Sequence, residues 1–181
     1  RDRRTAVTPT TGLAADCGIT GRYSIPRDNP WLGDAGCDEL WMKGLRNPWR
    51  IAIDPLNGDM FLGDVGEWQR EEVNYWPRSA GGGANFGWHC LEGTFDYAAF
   101  HMPTFPQIFS HCTPGAQYAD PVFEYDHAAG GCSVIGGSVY RGDKYPTLYG
   151  RYFFADWCTG ELWTMARQGN QWQVDTAGDT V

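Results

Sequence analysis

Apolar and aromatic positions along this chain come in short runs, and each run is stopped by glycine, proline, asparagine or aspartate. Residues 1–36 are polar and weakly patterned, with turn signals at Gly12, Gly18, Gly21 and Asn29-Pro30, and read as mostly loop. The pattern then predicts strands over residues 39–45, 49–53, 59–63 and 71–76, parted by Asn47-Pro48, Pro55-Leu56-Asn57-Gly58 and Asp64 to Gly66. Four strands so closely spaced have the cadence of one propeller blade or of a meander. Residues 77–120 read as a long irregular loop or insertion that opens on Ser79-Ala80-Gly81-Gly82-Gly83, and a loop of that length in a compact domain is usually functional. Strands resume at 121–126, 133–141, 151–156 and 161–166, with a last one near 171–175.

One internal repeat stands out. Gly58-Asp59-Met60-Phe61-Leu62-Gly63-Asp64 matches Gly150-Arg151-Tyr152-Phe153-Phe154-Ala155-Asp156 as Gly-x-apolar-Phe-apolar-small-Asp, at an offset of 92 residues (150 minus 58). Blades run about 40 to 50 residues, so the offset suits two blades; chance likeness of two aromatic strands is the other reading. The expectation is an all-β chain, residues 1–181 forming a single partial β-propeller domain. Residues 39–76 would make one blade and residues 121–175 further blade strands, about two to three blades in all. Such a stack leaves sheet edges open, to be closed by a missing N-terminal half or by a homodimer.

Composition agrees. Among 181 residues, 24 Gly and 11 Pro punctuate the chain, while 9 Trp, 9 Tyr and 9 Phe supply large flat groups for sheets. A net charge of −8 with no Lys/Arg cluster beyond Arg1 to Arg4 argues against nucleic acid, and no apolar run is long enough to span a membrane. The six Cys (17, 37, 90, 112, 132 and 158) lack zinc-like spacing and read as disulfides, which implies an oxidising compartment, secreted or periplasmic; buried free thiols of a cytosolic protein are the alternative. Fifteen pairings exist in principle. Nearest neighbours (Cys17 with Cys37, Cys90 with Cys112, Cys132 with Cys158) are the expected set, each loop worth on the order of 3 kcal/mol.

Three segments carry candidate chemistry. Pro48 forces Asn47 out of helical space, so Arg46-Asn47 sits at a preorganised strand exit. A five-donor guanidinium beside an amide suits a carboxylated or phosphorylated ligand, and Lys43 and Arg50 enlarge the positive patch; a purely structural corner is the alternative. Asp64, Glu67, Glu71 and Glu72 ride on a glycine-opened loop whose hard oxygens suit calcium without EF-hand spacing, a solvated acidic turn being the alternative. Gly81 to Gly93 allow backbone to approach a ligand closely or serve as linker. His127 reads as a strand-end packing residue rather than a base. No Gly-x-Ser-x-Gly, HExxH or phosphate loop occurs, which leaves hydrolase and nucleotide readings unsupported.

Together GLRNPWR (44–50), FLGDVGEWQREEVN (61–74), NFGW (85–88), EYDH (124–127), CSVIGGSVYRG (132–142) and RYFFADWCTGELW (151–163) resemble the glucose/sorbosone dehydrogenase family. These are soluble sugar dehydrogenases dependent on pyrroloquinoline quinone (PQQ), with Hedgehog-interacting-protein-like relatives. The resemblance covers about residues 22–166 and is to the C-terminal half of the family. It implies a six-bladed β-propeller with cofactor and a calcium ion on its axis, and a sugar of the aldose or sorbosone type as substrate. By motif, Arg46 and Asn47 would contact PQQ. Glu72, the carbonyl of Phe86 and backbone carbonyls at Gly66 and Glu67 would hold calcium. Phe86 stands where the family commonly has tyrosine, a change that a carbonyl ligand survives and a phenol contact would not. The family's base, a histidine in a His-x-Gly-Gly segment of an earlier blade, has no counterpart in these residues, so no catalytic residue is assigned. In the family mechanism that histidine takes the proton from the sugar's C1 hydroxyl as hydride passes to the quinone. A non-catalytic extracellular binding module on the same scaffold is the alternative implied function.

Overall fold

The computed structural model describes residues 25, 28–32, 37–113 and 115–177. Eight strands form two four-stranded antiparallel sheets, the blades of a β-propeller. The first sheet is β1 (Pro48–Ile53), β2 (Met60–Asp64), β3 (Arg70–Trp76) and β4 (Phe123–Asp126), paired in that order. The second is β5 (Val134–Val139), β6 (Tyr152–Asp156), β7 (Leu162–Gln168) and β8 (Gln171–Thr176), likewise consecutive. Among the described residues one α-helix, α1 (Tyr97–His101), lies in the segment between β3 and β4, with the Asp96 carboxylate accepting Ala99 N–H at 2.8 Å as its N-cap.

The repeat seen in the sequence is architectural. Met60–Asp64 and Tyr152–Asp156 are the second strands of their sheets, at the same 92-residue offset (152 minus 60). Side chains alternate across each strand, and the faces turned toward each other make the main core. Phe61, Val73, Val134, Tyr152, Phe154 and Met165 are all buried there. Phe61 stacks on Tyr152 with centroids 4.4 Å apart, and Phe123 tilts against Phe154 at 5.3 Å. Polar ties span the same seam. The fully buried Glu71 carboxylate accepts Val134 N–H at 2.9 Å and meets His127 Nε2 at 2.8 Å, and Arg141 forks onto the buried Asp54. His127 thus packs at a strand end, as its sequence context suggested.

The first sheet differs from expectation at one edge. Residues 39–45 form no strand, and their place as fourth strand is taken by β4, which arrives only after the segment 77–122. The physical reason is Gly44, whose φ of +78° breaks the extended path. Up to Gly44 the chain runs beside 83–88 instead, with Lys43 N–H to Ala84 O at 2.9 Å, Phe86 N–H to Lys43 O at 3.0 Å and Trp88 N–H to Gly44 O at 2.9 Å. Leu62, Ala84 and Phe86 form a second buried cluster on the far side of β2.

Of the expected disulfides, Cys90–Cys112 and Cys132–Cys158 are present. The Cys17–Cys37 pairing involves Cys17, which lies outside the described residues, as does most of the loop assigned to 1–36.

Candidate functional site

Each blade carries the same corner. In the first, Asp64 at the end of β2 accepts the backbone N–H groups of Arg46 (2.9 Å) and Asn47 (2.6 Å), the two residues that precede β1. In the second, Asp156 at the end of β6 accepts Cys132 and Ser133 N–H, both at 2.9 Å, the two residues that precede β5. The next residue closes both corners alike: Val65 N–H bonds Asn47 O at 3.1 Å and Trp157 N–H bonds Ser133 O at 2.9 Å. The mounting of Arg46 and Asn47 is therefore a repeated structural device, and what distinguishes the first blade is the side chains it displays. Cys132 is locked to Cys158. Arg46 and Asn47 instead face a polar pocket and solvent.

The two capping carboxylates live in opposite electrostatic environments. Burial would raise Asp156, but N–H groups of Thr159 and Ser133 and the Tyr125 hydroxyl hold it well below the usual carboxylate range. Burial pushes Asp64 up, to about 6, against the Arg46 and Asn47 N–H groups. Glu72, its register partner on β3, is pushed up to about 8 by burial, with the Asp64 charge adding to the shift and the Asn74 amide opposing it. Two buried carboxylates close enough to share a proton are what distinguishes this corner from its copy.

Of the other expected residues, Arg46 and Gly66 line the same cavity as this pair, and Glu67 contacts Arg46. Arg46 Nη1 donates to Val65 O (3.2 Å) and Gly66 O (2.7 Å), its Nη2 lies 3.7 Å from Glu67 Oε1, and its guanidinium sits over the Trp88 ring at 5.6 Å. Asn47 is exposed, with its backbone pinned from both sides. Phe86 is buried against Leu62 and Trp76, so its ring belongs to the core and only its backbone is available to a ligand. Lys43 turns away to the Trp31 ring.

A cavity of about 10 Å³ lies among Arg46, Asp64, Gly66, Glu72, Trp88 and Glu92, the space of about one water or one ion. Asn74 Nδ2 donates to Glu72 Oε1 at 2.8 Å, while the fully buried Asn74 Oδ1 has no hydrogen-bond partner among the described residues. The Asp64 and Glu72 carboxylates at this cavity are hard-oxygen donors of the kind that suits calcium. The cavity is far too small for a tricyclic quinone.

Asp64, expected among the calcium-suited carboxylates of the acidic loop, caps the corner through its carboxylate. Two residues outside the expected set, Glu92 and Tyr97, hold the loop. Glu92, 4% exposed, accepts three consecutive backbone N–H groups, those of Glu67, Trp68 (2.7 Å) and Gln69 (3.0 Å). The Tyr97 hydroxyl donates to Glu67 Oε2 at 2.9 Å, and burial together with Glu67 pushes that phenol up to about 12. Neither contact leaves a local sequence signal, because each joins the loop to a residue 23 to 30 positions away.

The HIPL2 protein of Arabidopsis thaliana is 33% identical over 171 residues, which is 87% of this chain and 22% of that protein. The aldose sugar dehydrogenase YliI of Escherichia coli (strain K12) is 28% identical over 136 residues, 75% of this chain and 33% of that protein. The chain thus spans between a fifth and a third of the length of these relatives. Among solved structures, the soluble aldose sugar dehydrogenase of Escherichia coli in its apo-form superposes with a TM-score of 0.62 at 25% identity, over 84% of this chain and 41% of that one. The PQQ-bound aldose sugar dehydrogenase of Streptomyces coelicolor shares the fold, with a TM-score of 0.55 at 19% identity over 84% of this chain and 35% of that one. The sequence profile described as Glucose / Sorbosone dehydrogenase matches residues 2–179, and the chain belongs to that family.

Proposed function

We propose that this chain supplies the cofactor and metal side of a PQQ- and calcium-dependent sugar dehydrogenase. The observation that carries the reading is the contrast between the two blade corners. The same Asp-capped turn displays Arg46-Asn47 only where a second buried carboxylate, Glu72, stands behind it. When bound, the quinone supplies hydride acceptance from the sugar's C1. Arg46 anchors and polarises an anionic, carbonyl-rich ligand, holding its own orientation through the Val65 and Gly66 carbonyls. Asn47 adds an amide at the open face. Glu72, with the Phe86 carbonyl and the carbonyls of Gly66 and Glu67, takes calcium, and the cation offsets the cost of burying the carboxylate pair. The disulfides Cys90–Cys112 and Cys132–Cys158 support a secreted or periplasmic setting. No helix among the described residues is long and apolar enough to cross a membrane.

A non-catalytic binding module on the same scaffold is the second reading. Its support is that the HIPL2 and HIPL1 proteins, at 33% and 32% identity, are no less similar to the chain than YliI at 28%. Thermal unfolding with PQQ and calcium separates the two. The dehydrogenase reading expects saturating ligand to raise Tm, since a ligand of the folded state stabilises it. Arg46→Ala should weaken PQQ binding by about 2 kcal/mol, roughly thirtyfold. No Tm shift at saturating quinone supports the binding module instead.

A further inference from the structure

The segment between β3 and β4 holds one residue of the site, Glu67, at both its backbone and its side chain. Glu67 is held at its backbone N–H by Glu92 and at its carboxylate Oε2 by the Tyr97 hydroxyl, 2.9 Å away. Both holders are rigid for independent reasons. Glu92 follows Cys90 of the Cys90–Cys112 disulfide by two residues, and its own N–H and C=O exchange 3.0 Å bonds with Phe95. Tyr97 is 8% exposed, wedged against the Trp88 and Phe109 rings with centroids 5.0 and 5.9 Å apart.

The opposite side of the contact is equally specific. Three successive N–H groups, of Glu67, Trp68 and Gln69, point at one carboxylate, which is how a loop is made to turn its preceding carbonyls the other way. Those carbonyls, of Val65 and Gly66, are the ones that Arg46 Nη1 grips. The close fit extends to Gly66, where an added Cβ would collide with the Arg70 carbonyl and lie 2.8 Å from Glu92 Oε1. Among the described residues, Glu92 is the carboxylate that Glu67, Trp68 and Gln69 N–H share, and it is buried at the edge of the cavity beside Arg46.

We infer that Glu92 is a positioning residue: the disulfide-clipped segment around Cys90–Cys112 clamps the Gly66–Gln69 loop through Glu92, with Tyr97 as second grip, and so fixes the geometry of Arg46 and the loop carbonyls. The clamp itself rests on contacts described above, and its consequence for ligand affinity rests on the cofactor reading. Contacts from a long irregular segment to a loop are the kind that decide whether a site is preorganised, because the loop's own backbone has few regular partners.

The test has two readouts. Backbone hydrogen exchange of the peptide spanning 66–70 is compared in the intact chain, in Glu92→Gln and in Tyr97→Phe, with no ligand present. Glu92→Gln keeps the size and sets an amide NH₂ against at least one of the three N–H groups, so exchange there should quicken at least tenfold while β2 and β3 stay protected. Unchanged exchange at 66–70 overturns the clamp, and so does an equal loss of protection in β2 and β3. Should Glu92→Gln fail to fold, Tyr97→Phe decides alone, since it removes only the hydroxyl and should quicken exchange several-fold at the same peptide. Titration with calcium, then with PQQ, is the second readout, with at least tenfold weaker binding expected for Glu92→Gln at similar Tm. Variant and parent binding equally well overturns the positioning role. An intact chain that binds neither ligand while 66–70 responds to Glu92→Gln overturns the cofactor reading and supports the clamp.

Discussion

Replacing Glu72 by Gln should abolish a pH dependence of stability that the buried carboxylate pair imposes on the calcium-free protein. Glu72 titrates near 4.5 when solvated and near 8 in the fold, with burial as the main cause. Between those values the folded protein holds a proton that the unfolded chain has lost, so stability is fully present below about 4.5 and falls as pH rises through about 8. At 1.36 kcal/mol for each tenfold change in proton affinity, the fall amounts to about 5 kcal/mol, a large share of a small domain's total stability. Glu72→Gln keeps an oxygen for the Asn74 amide and presents an NH₂ to Asp64, so it mimics the protonated pair at every pH. Chemical denaturation in chelator from about pH 5 to about pH 9 should give a falling profile for the parent and a much flatter one for the variant. Calcium should restore the parent most at the alkaline end, because a cation replaces the proton, and should leave the variant unmoved. Parallel profiles for the two proteins in chelator would refute the reasoning.

The second blade should behave in the opposite sense. Asp156 is held below its solvated value of 3.8, so its contribution is present above that value and is lost as pH falls through the folded one. Asp156→Asn should cost about 2 kcal/mol at neutral pH and make acid unfolding shallower, as followed by circular dichroism. Phe61→Ala, which empties the stack on Tyr152 between the blades, should cost about 3 to 5 kcal/mol in urea unfolding without altering disulfide content.

Much of the fold was legible because its signal is local. Runs such as Met60–Asp64 and Tyr152–Asp156 are short and apolar, are bounded by turn residues and repeat, and each is a strand at nearly its expected bounds. Residues 39–45 misled for an equally physical cause: Glu-Leu-Trp-Met-Lys has strand composition, but Gly44 takes a positive φ and the backbone finds its partners in 83–88. Nothing in the composition of 77–122 announces that the first sheet must wait for Phe123 to gain its outer strand. Arg46 and Asn47 were singled out through Pro48, and the likeness of Asp64 to Asp156 was legible as a repeat, though not as a shared corner. Glu92 and Tyr97 were not legible, since a carboxylate that serves distant N–H groups and a phenol that serves a distant carboxylate look like any other loop residues until the chain folds.

Asp64 recognises positions 46 and 47 by their amide hydrogens alone, as Asp156 does for 132 and 133. The Asp cap is consequently kept whichever side chains the two positions carry, and those side chains add contacts of their own: Arg46 grips the Val65 and Gly66 carbonyls, and Cys132 is tied to Cys158. A lineage built from such blades can gain, lose or relocate a ligand contact by exchanging one dipeptide together with the few contacts its side chains make. Transplanting Arg-Asn into the second corner, once its disulfide is removed, would be the shortest route to a binding surface that this blade has never displayed.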